Sequence, residues 1–213
     1  LELNGTAPQT VTSSSNVPVK NLLISNTNGG VTLAGTGPVD VYSSVNFSAG
    51  GTKLDAGDGN LTMKSTAAQT AMVGDLTGHD ITGNVTVERY INTLGHGKSW
   101  EFLAVPTKGQ TVKQSWMENG IYVPGYGMNV NDASAPANGF DLPKSQTPSV
   151  KFYDATVAAS WTGIANTGIQ VYDPRGYMAF VRGDRSVDGV NNTTANVTTL
   201  RTKGTLLKGP VSI

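Results

Sequence analysis

Short strand-like runs recur about every 20 residues through residues 1–92, and this period limits the fold more than any other feature. "LELNG" at Leu1, "NLLISN" at Asn21, "VDVYSS" at Val39, "NLTMKS" at Asn60 and "NVTVERY" at Asn84 form one series. A second series falls between them: "QTVTSS" at Gln9, "GVTLAG" at Gly30, "GTKLDAG" at Gly51 and "TAMVGD" at Thr70. Gly, Asn, Ser and Asp fill the connections, as in "NTNGG", "GTGP" and "DAGDGN". A single run buries too little apolar surface to fold alone, so it must stack on the runs before and after it. Two or more strands per turn with Gly/Asn corners predict a parallel β-helix. Within "VTLAG" and "LTMKS", alternation sends Val, Leu and Met inward and Thr and Lys outward.

Composition agrees with an all-β chain. There are 26 Gly and 10 Pro in 213 residues, only 14% are charged, and Val dominates the aliphatic positions. The absence of Cys excludes disulfides, thiolate metal sites and Cys nucleophiles. A formal net charge of zero gives no electrostatic case for nucleic acid or an anionic membrane, and no run approaches the ~20 apolar residues of a membrane span. No basic start leads into an apolar stretch, so any signal peptide is expected to lie upstream or to have been removed. The chain opens on a strand without a polar cap, so Leu1 is expected not to be the natural N-terminus. Low charge with abundant Thr, Asn and Gly favours a secreted repeat protein over a cytosolic enzyme.

After "VERYI" the texture changes. Residues 93–213 hold all three Trp and five of the seven Tyr. "SWEFLAV", "GIYVPGYG", "SVKFYD", "YMAFVRG" and "TTLRTKGTLL" read as strands. "QTVKQSWMENG" predicts a helix, with Thr111 as N-cap, Val112, Trp116 and Met117 on one face, and Gly120 as its stop. The expectation is a parallel β-helix over 1–92, then an aromatic-rich β-sandwich-like module over 93–213, incomplete at its C-terminal end.

Several segments of the second half form an ordered set: "VERYI" at 87–91, "SWEFLAVP" at 99–106, "WMENG" at 116–120, "PGYGMNV" at 124–130, "GYMAFVRGDRS" at 176–186 and "LRTKGTLLKG" at 200–209. The set resembles a region of very large secreted or surface proteins of the Bacteroidota. There it lies between β-strand repeats and a C-terminal sorting domain read by the type IX secretion system. Residues 1–92 similarly resemble the repeats that precede it. The resemblance implies an exported, surface-associated, non-enzymatic segment, whose parent chain would meet the secretion machinery. It supplies no catalytic or binding residues.

Arg182-Gly183-Asp184 is the tripeptide that integrins read, but it follows the alternating apolar run "YMAFV", and Gly183 sits where a strand would turn. The triplet therefore reads as structural, with its charges pairing across a turn. Asp55 and Asp58 in "LDAGDGN" resemble part of a calcium loop, yet they are three apart and no Glu follows, so an Asp-Gly corner is the favoured reading. His79 and His96 lie in Gly-rich turns, without HExxH spacing or a G-x-S-x-G elbow. Acids and bases are thinly spread over the solenoid half, which argues against a polysaccharide-cleaving site, and no cofactor is called for.

The aromatic residues carry the binding expectation. Trp161 in "AASWTGIANTG", with Tyr122 and Tyr126 in "IYVPGYG", could stack on sugar faces, whereas Trp100 and Trp116 read as core. The function expected from sequence is a stalk, spacer or adhesin element at the outer surface of a bacterial cell, contacting extracellular polysaccharide or other surface proteins. The alternative is a carbohydrate-binding module of a secreted polysaccharide-active protein.

Overall fold

The structure is a computed structural model that describes residues 1–48, 52–142, 147–156, 160–188, 190–191 and 193–210. The chain is nearly all β and divides into two compact units. One comprises Leu1–Arg89 with Lys203–Leu207, the other Tyr90–Thr202 with Lys208–Ile213.

The first unit is a parallel β-solenoid of about four turns. Its strands are β1 (Glu2–Leu3), β2 (Gln9–Ser13), β3 (Val17–Ile24), β4 (Val31–Gly35), β5 (Val39–Phe47), β6 (Lys53–Met63), β7 (Met72–Val73) and β8 (Asp80–Ile91). Register shows why the 20-residue period matters. Val17, Val39, Leu61 and Val85 stand directly above one another, in steps of 22, 22 and 24 residues. Val19, Val41, Met63 and Val87 form a parallel column, and Val31, Leu54 and Ile81 a third. The inner members of these columns, with Leu22, Ile24, Leu33, Val45 and Ala56, make the buried core of the solenoid, and Val17, Val19 and Val87 pack against it half-buried.

The Asp-Gly corner forms inside one continuous strand, β6: its first half pairs with β4 and its second with β5, and its register to β8 slips at Asp55/Asp58 and again at Asp58/Leu61. Gly57 and Gly59 take positive φ there, so the strand bends while pairing to β8 continues on both sides. Another corner follows β3. Asn26, fully buried, donates to the Ala7 carbonyl (2.8 Å) and Gln9 Oε1 (3.0 Å) and accepts from the N–H groups of Asn28 and Gly30. Its side chain stands in for the backbone pairing lost at the bend.

In the second unit, β9 (Ser99–Leu103), β11 (Val150–Asp154), β12 (Ser160–Gly163) and β13 (Tyr177–Val181) form an antiparallel sheet ordered β12-β11-β13-β9. β10 (Thr107–Lys108) and β14 (Thr198–Leu206) lie outside it. Leu103, Val150, Tyr177, Ala179 and Val181 face inward onto Val112, Trp116, Met117, Met128, Val130, Phe140, Ile164, Val171 and Leu200. Trp116 meets Tyr177 edge-on, at 5.3 Å between ring centroids. The chain re-enters the first unit at Lys203, whose Nζ lies 2.9 Å from Asp58 Oδ1.

The helix expected over 110–120 does not form. Its capping box does: Thr111 Oγ1 accepts from the Gln114 N–H, and Gln114 Oε1 accepts from the Thr111 N–H. Only turns follow, closing in a 3-10 segment at Glu118–Gly120, because Glu118 and Asn119 adopt positive φ and adjacent Trp116 and Met117 are both buried. Among the described residues, no helix is long and apolar enough to cross a membrane.

Candidate functional site

The outward face of the four-stranded sheet is aromatic. Alternation in "SWEFL" puts Leu103 in the core and Trp100 and Phe102 outside. Register extends the pattern: Trp100 stands opposite Phe180, Phe102 opposite Met178, Met178 opposite Lys151, and Tyr153 opposite Trp161. Phe102 is 75% exposed, Tyr153 41%, Trp161 40% and Trp100 38%. Trp161 is tilted against Phe102 (5.7 Å) and edge-on to Tyr153 (5.5 Å). Trp100 is tilted against Phe180 at 5.2 Å, and Lys151 Nζ lies 5.0 Å from the centre of the Trp100 ring. These are apolar, rigid surfaces with few rotamers to freeze, the kind on which a sugar ring stacks at small entropic cost.

Arg175 borders the platform, lining a cleft of about 260 Å³ with Phe102, Trp161 and Tyr177. Its guanidinium makes two bonds to Asp173, at 2.9 and 2.6 Å, and stacks 4.2 Å over Phe152. That side-chain bond from Arg175 holds the Asp173 carboxyl below its ordinary range. Burial pushes the Tyr177 hydroxyl up to about 12.

The residues expected from sequence to bind glycan are not assembled into one ring cluster. Trp161 joins Phe102 and Tyr153. Tyr122 is 53% exposed on a loop, and Tyr126 is bridged to Val123 and Thr199, with the Arg201 guanidinium 4.1 Å over its ring. Arg201 also forms an ion pair with Glu118. Trp116 is in the core, but Trp100 is not, which corrects the sequence reading. "SWEFLAV" has apolar residues at both alternation phases, and only the pairing of β9 with β13 selects the phase that turns Trp100 outward. Phe102 and Phe180 were legible only through that same pairing, and Tyr153 only through the pairing of β11 with β12.

The integrin-like triplet lies inside the fold. Asp184 is 3% exposed and accepts from the Gly125 N–H (2.7 Å), the Ser186 N–H (2.9 Å), the Ser186 hydroxyl (2.6 Å) and Asn196 Nδ2 (3.0 Å). Burial alone raises its pKa, but the bonds from Ser186, Gly125 and Asn196 outweigh it and hold the carboxyl below its usual value. Gly183 takes φ +142°, and a Cβ there would collide with Asn196 Oδ1. The neighbouring Arg185 grips Asp141 through two nitrogens (2.9 and 3.1 Å) and donates to the Met128 carbonyl. Arg182 turns the other way, its guanidinium 4.8 Å over Phe180.

Asp55 and Asp58 both sit on β6. Asp55 Oδ1 accepts from the Gly57 N–H, while exposed Asp58 accepts from Asn84 and pairs with Lys203. His79 stacks on Phe47 at 5.0 Å. His96 Nδ1 lies 3.1 Å from Ser99 Oγ, but that hydroxyl sits closer to Glu101 Oε1, at 2.8 Å, and donating there holds its proton away from the imidazole. Comparison of the chain with protein-family models, curated proteins and solved structures finds no match.

Proposed function

We propose that this chain is a non-enzymatic structural and adhesive segment of an exported cell-surface protein, and that its contact is extracellular polysaccharide. The observation that carries the reading is the outward aromatic face of the antiparallel sheet, where Trp100, Phe102, Tyr153 and Trp161 stand exposed on paired strands. A contiguous exposed patch of such rings is rare on a soluble fold and marks an interaction site. Stacking on flat faces suits pyranose rings, which offer C–H groups on one side and hydroxyls on the rim. The solenoid supports the structural half of the reading. Its in-register rungs repeat one hydrogen-bond ladder and one apolar column, so load is shared across successive turns. Low charge and the resemblance to Bacteroidota surface proteins support export.

The test is retention of the purified chain on insoluble polysaccharides and a soluble glycan panel, with Trp161→Ala and Phe102→Ala alongside. Selective retention that both variants weaken, with unchanged circular dichroism, is the expected result. A folded chain that binds nothing on the panel overturns the polysaccharide contact.

A further inference from the structure

We propose that the cleft between Trp100 and Arg182 is a subsite for a carboxylate-bearing sugar, so that the polysaccharide recognised is a polyuronate. This rests on the polysaccharide reading above and adds the chemical class of the ligand. The cleft is lined by Trp100, Thr147, Pro148, Ser149, Phe180 and Arg182 and encloses about 170 Å³. That is well below the ~300–1,000 Å³ of drug-sized pockets and suits one sugar unit rather than a long segment.

Arg182 gives the cleft its charge. Among the described residues it makes no hydrogen bond and no ion pair; Nη1 is shut away from solvent, so the edge open to a ligand is the one formed by Nε and Nη2. The guanidinium instead lies over the Phe180 ring. An arginine partly stripped of water and lacking an acceptor among the described residues is a charge that an anionic ligand would compensate. Desolvation also lowers its pKa. The contrast within one short stretch is informative: Arg185 is held by Asp141, Arg175 by Asp173, and Arg182 by an aromatic face alone.

A second cation lies close by. Lys151 Nζ lies over Trp100, so the indole that would stack the sugar is flanked by positive charge. A uronate satisfies both features at once, its ring on Trp100 and its planar carboxylate on the Nε–Nη2 edge of Arg182, whose two parallel N–H bonds match it better than a tetrahedral anion.

The experiment titrates the chain with oligogalacturonate, its carboxyl-reduced counterpart and a sulfated galactan, reading Trp fluorescence and heat. Oligogalacturonate is expected to bind about tenfold more tightly than the reduced oligomer. That preference should vanish in Arg182→Gln and shrink in Arg182→Lys, which keeps the charge without the fork. The comparison of ligands on the unmodified chain stands even where a variant fails to fold. Equal binding of the acidic and reduced oligomers overturns the carboxylate subsite and leaves the polysaccharide contact intact. Sulfated galactan binding as tightly as the uronate overturns the choice of carboxylate. No binding of any glycan overturns both.

Discussion

Replacing Asp184 tests whether the triplet is part of the fold's internal wiring. Asp184→Ala removes one acceptor from four donors. Two of these are side chains that can reorient, since Asn196 Nδ2 and Ser186 Oγ already lie 3.2 Å apart. The other two are the backbone N–H groups of Gly125 and Ser186, which cannot. Gly125 is half-buried and Ser186 exposed, so each stranded N–H falls at the low end of the about 1–3 kcal/mol of a buried donor, and the variant should lose about 1–3 kcal/mol. Asp184→Asn keeps one acceptor oxygen but turns an NH2 toward the Gly125 N–H, and should lose about 1–2 kcal/mol. Urea unfolding followed by Trp fluorescence reads the right unit, because all three tryptophans lie between Tyr90 and Thr202. pH supplies a second axis. The Asp184 carboxyl is depressed in the folded chain, so its contribution is complete above the unfolded pKa of about 4 and is lost as pH falls through the lower folded value. The gap between Asp184→Asn and the parent chain should therefore close in acid. A loss below about 0.5 kcal/mol for Asp184→Ala at unchanged m, or a gap for Asp184→Asn that is as wide at pH 2 as at pH 7, would refute the reasoning.

Three further outcomes follow from the geometry. Glu88 is buried, bonded to Lys64 at 2.6 Å and to the Ser65 N–H, so Glu88→Ala should cost about 3–5 kcal/mol, seen as faster hydrogen exchange in β6 and β8. Gly35 takes φ +98° with its missing Cβ directed at the Ser13 carbonyl oxygen; Gly35→Ala should cost at least about 1–3 kcal/mol, with exchange rising first in β2 and β4, and full protection there would count against it. Phe102→Ser should leave the unfolding midpoint within about 0.5 kcal/mol of the parent, since the ring is mostly exposed, while weakening retention on polysaccharide; intact retention would remove Phe102 from the contact.

The solenoid was legible because its physics is one-dimensional. Each run of 20-odd residues repeats the same in-out alternation, so "VDVY", "LTMK" and "VTVE" align by eye and stack as Val39, Leu61 and Val85. The structure seats "VPVK" against "VDVY" and "NLLI" against "SVNF", however, where the sequence series aligns "NLLISN" with "VDVYSS". Local chemistry was also readable at Thr111, whose capping box forms although no helix follows it. The second unit was legible only as β and aromatic. Whether Trp100 faces core or solvent depends on which phase of "SWEFL" the partner strand "YMAFV" selects, and that partner lies nearly 80 residues away. The same holds for Asp184, two of whose donors come from Gly125 and Asn196, and for Arg182, left without an acceptor among the described residues. Sequence determined the repeat, its corners and the alternation within each strand, because these rest on contacts at fixed short offsets. Tertiary structure alone decided which aromatic rings stay in water and which charges find partners, because those contacts join segments whose separation in sequence carries no period.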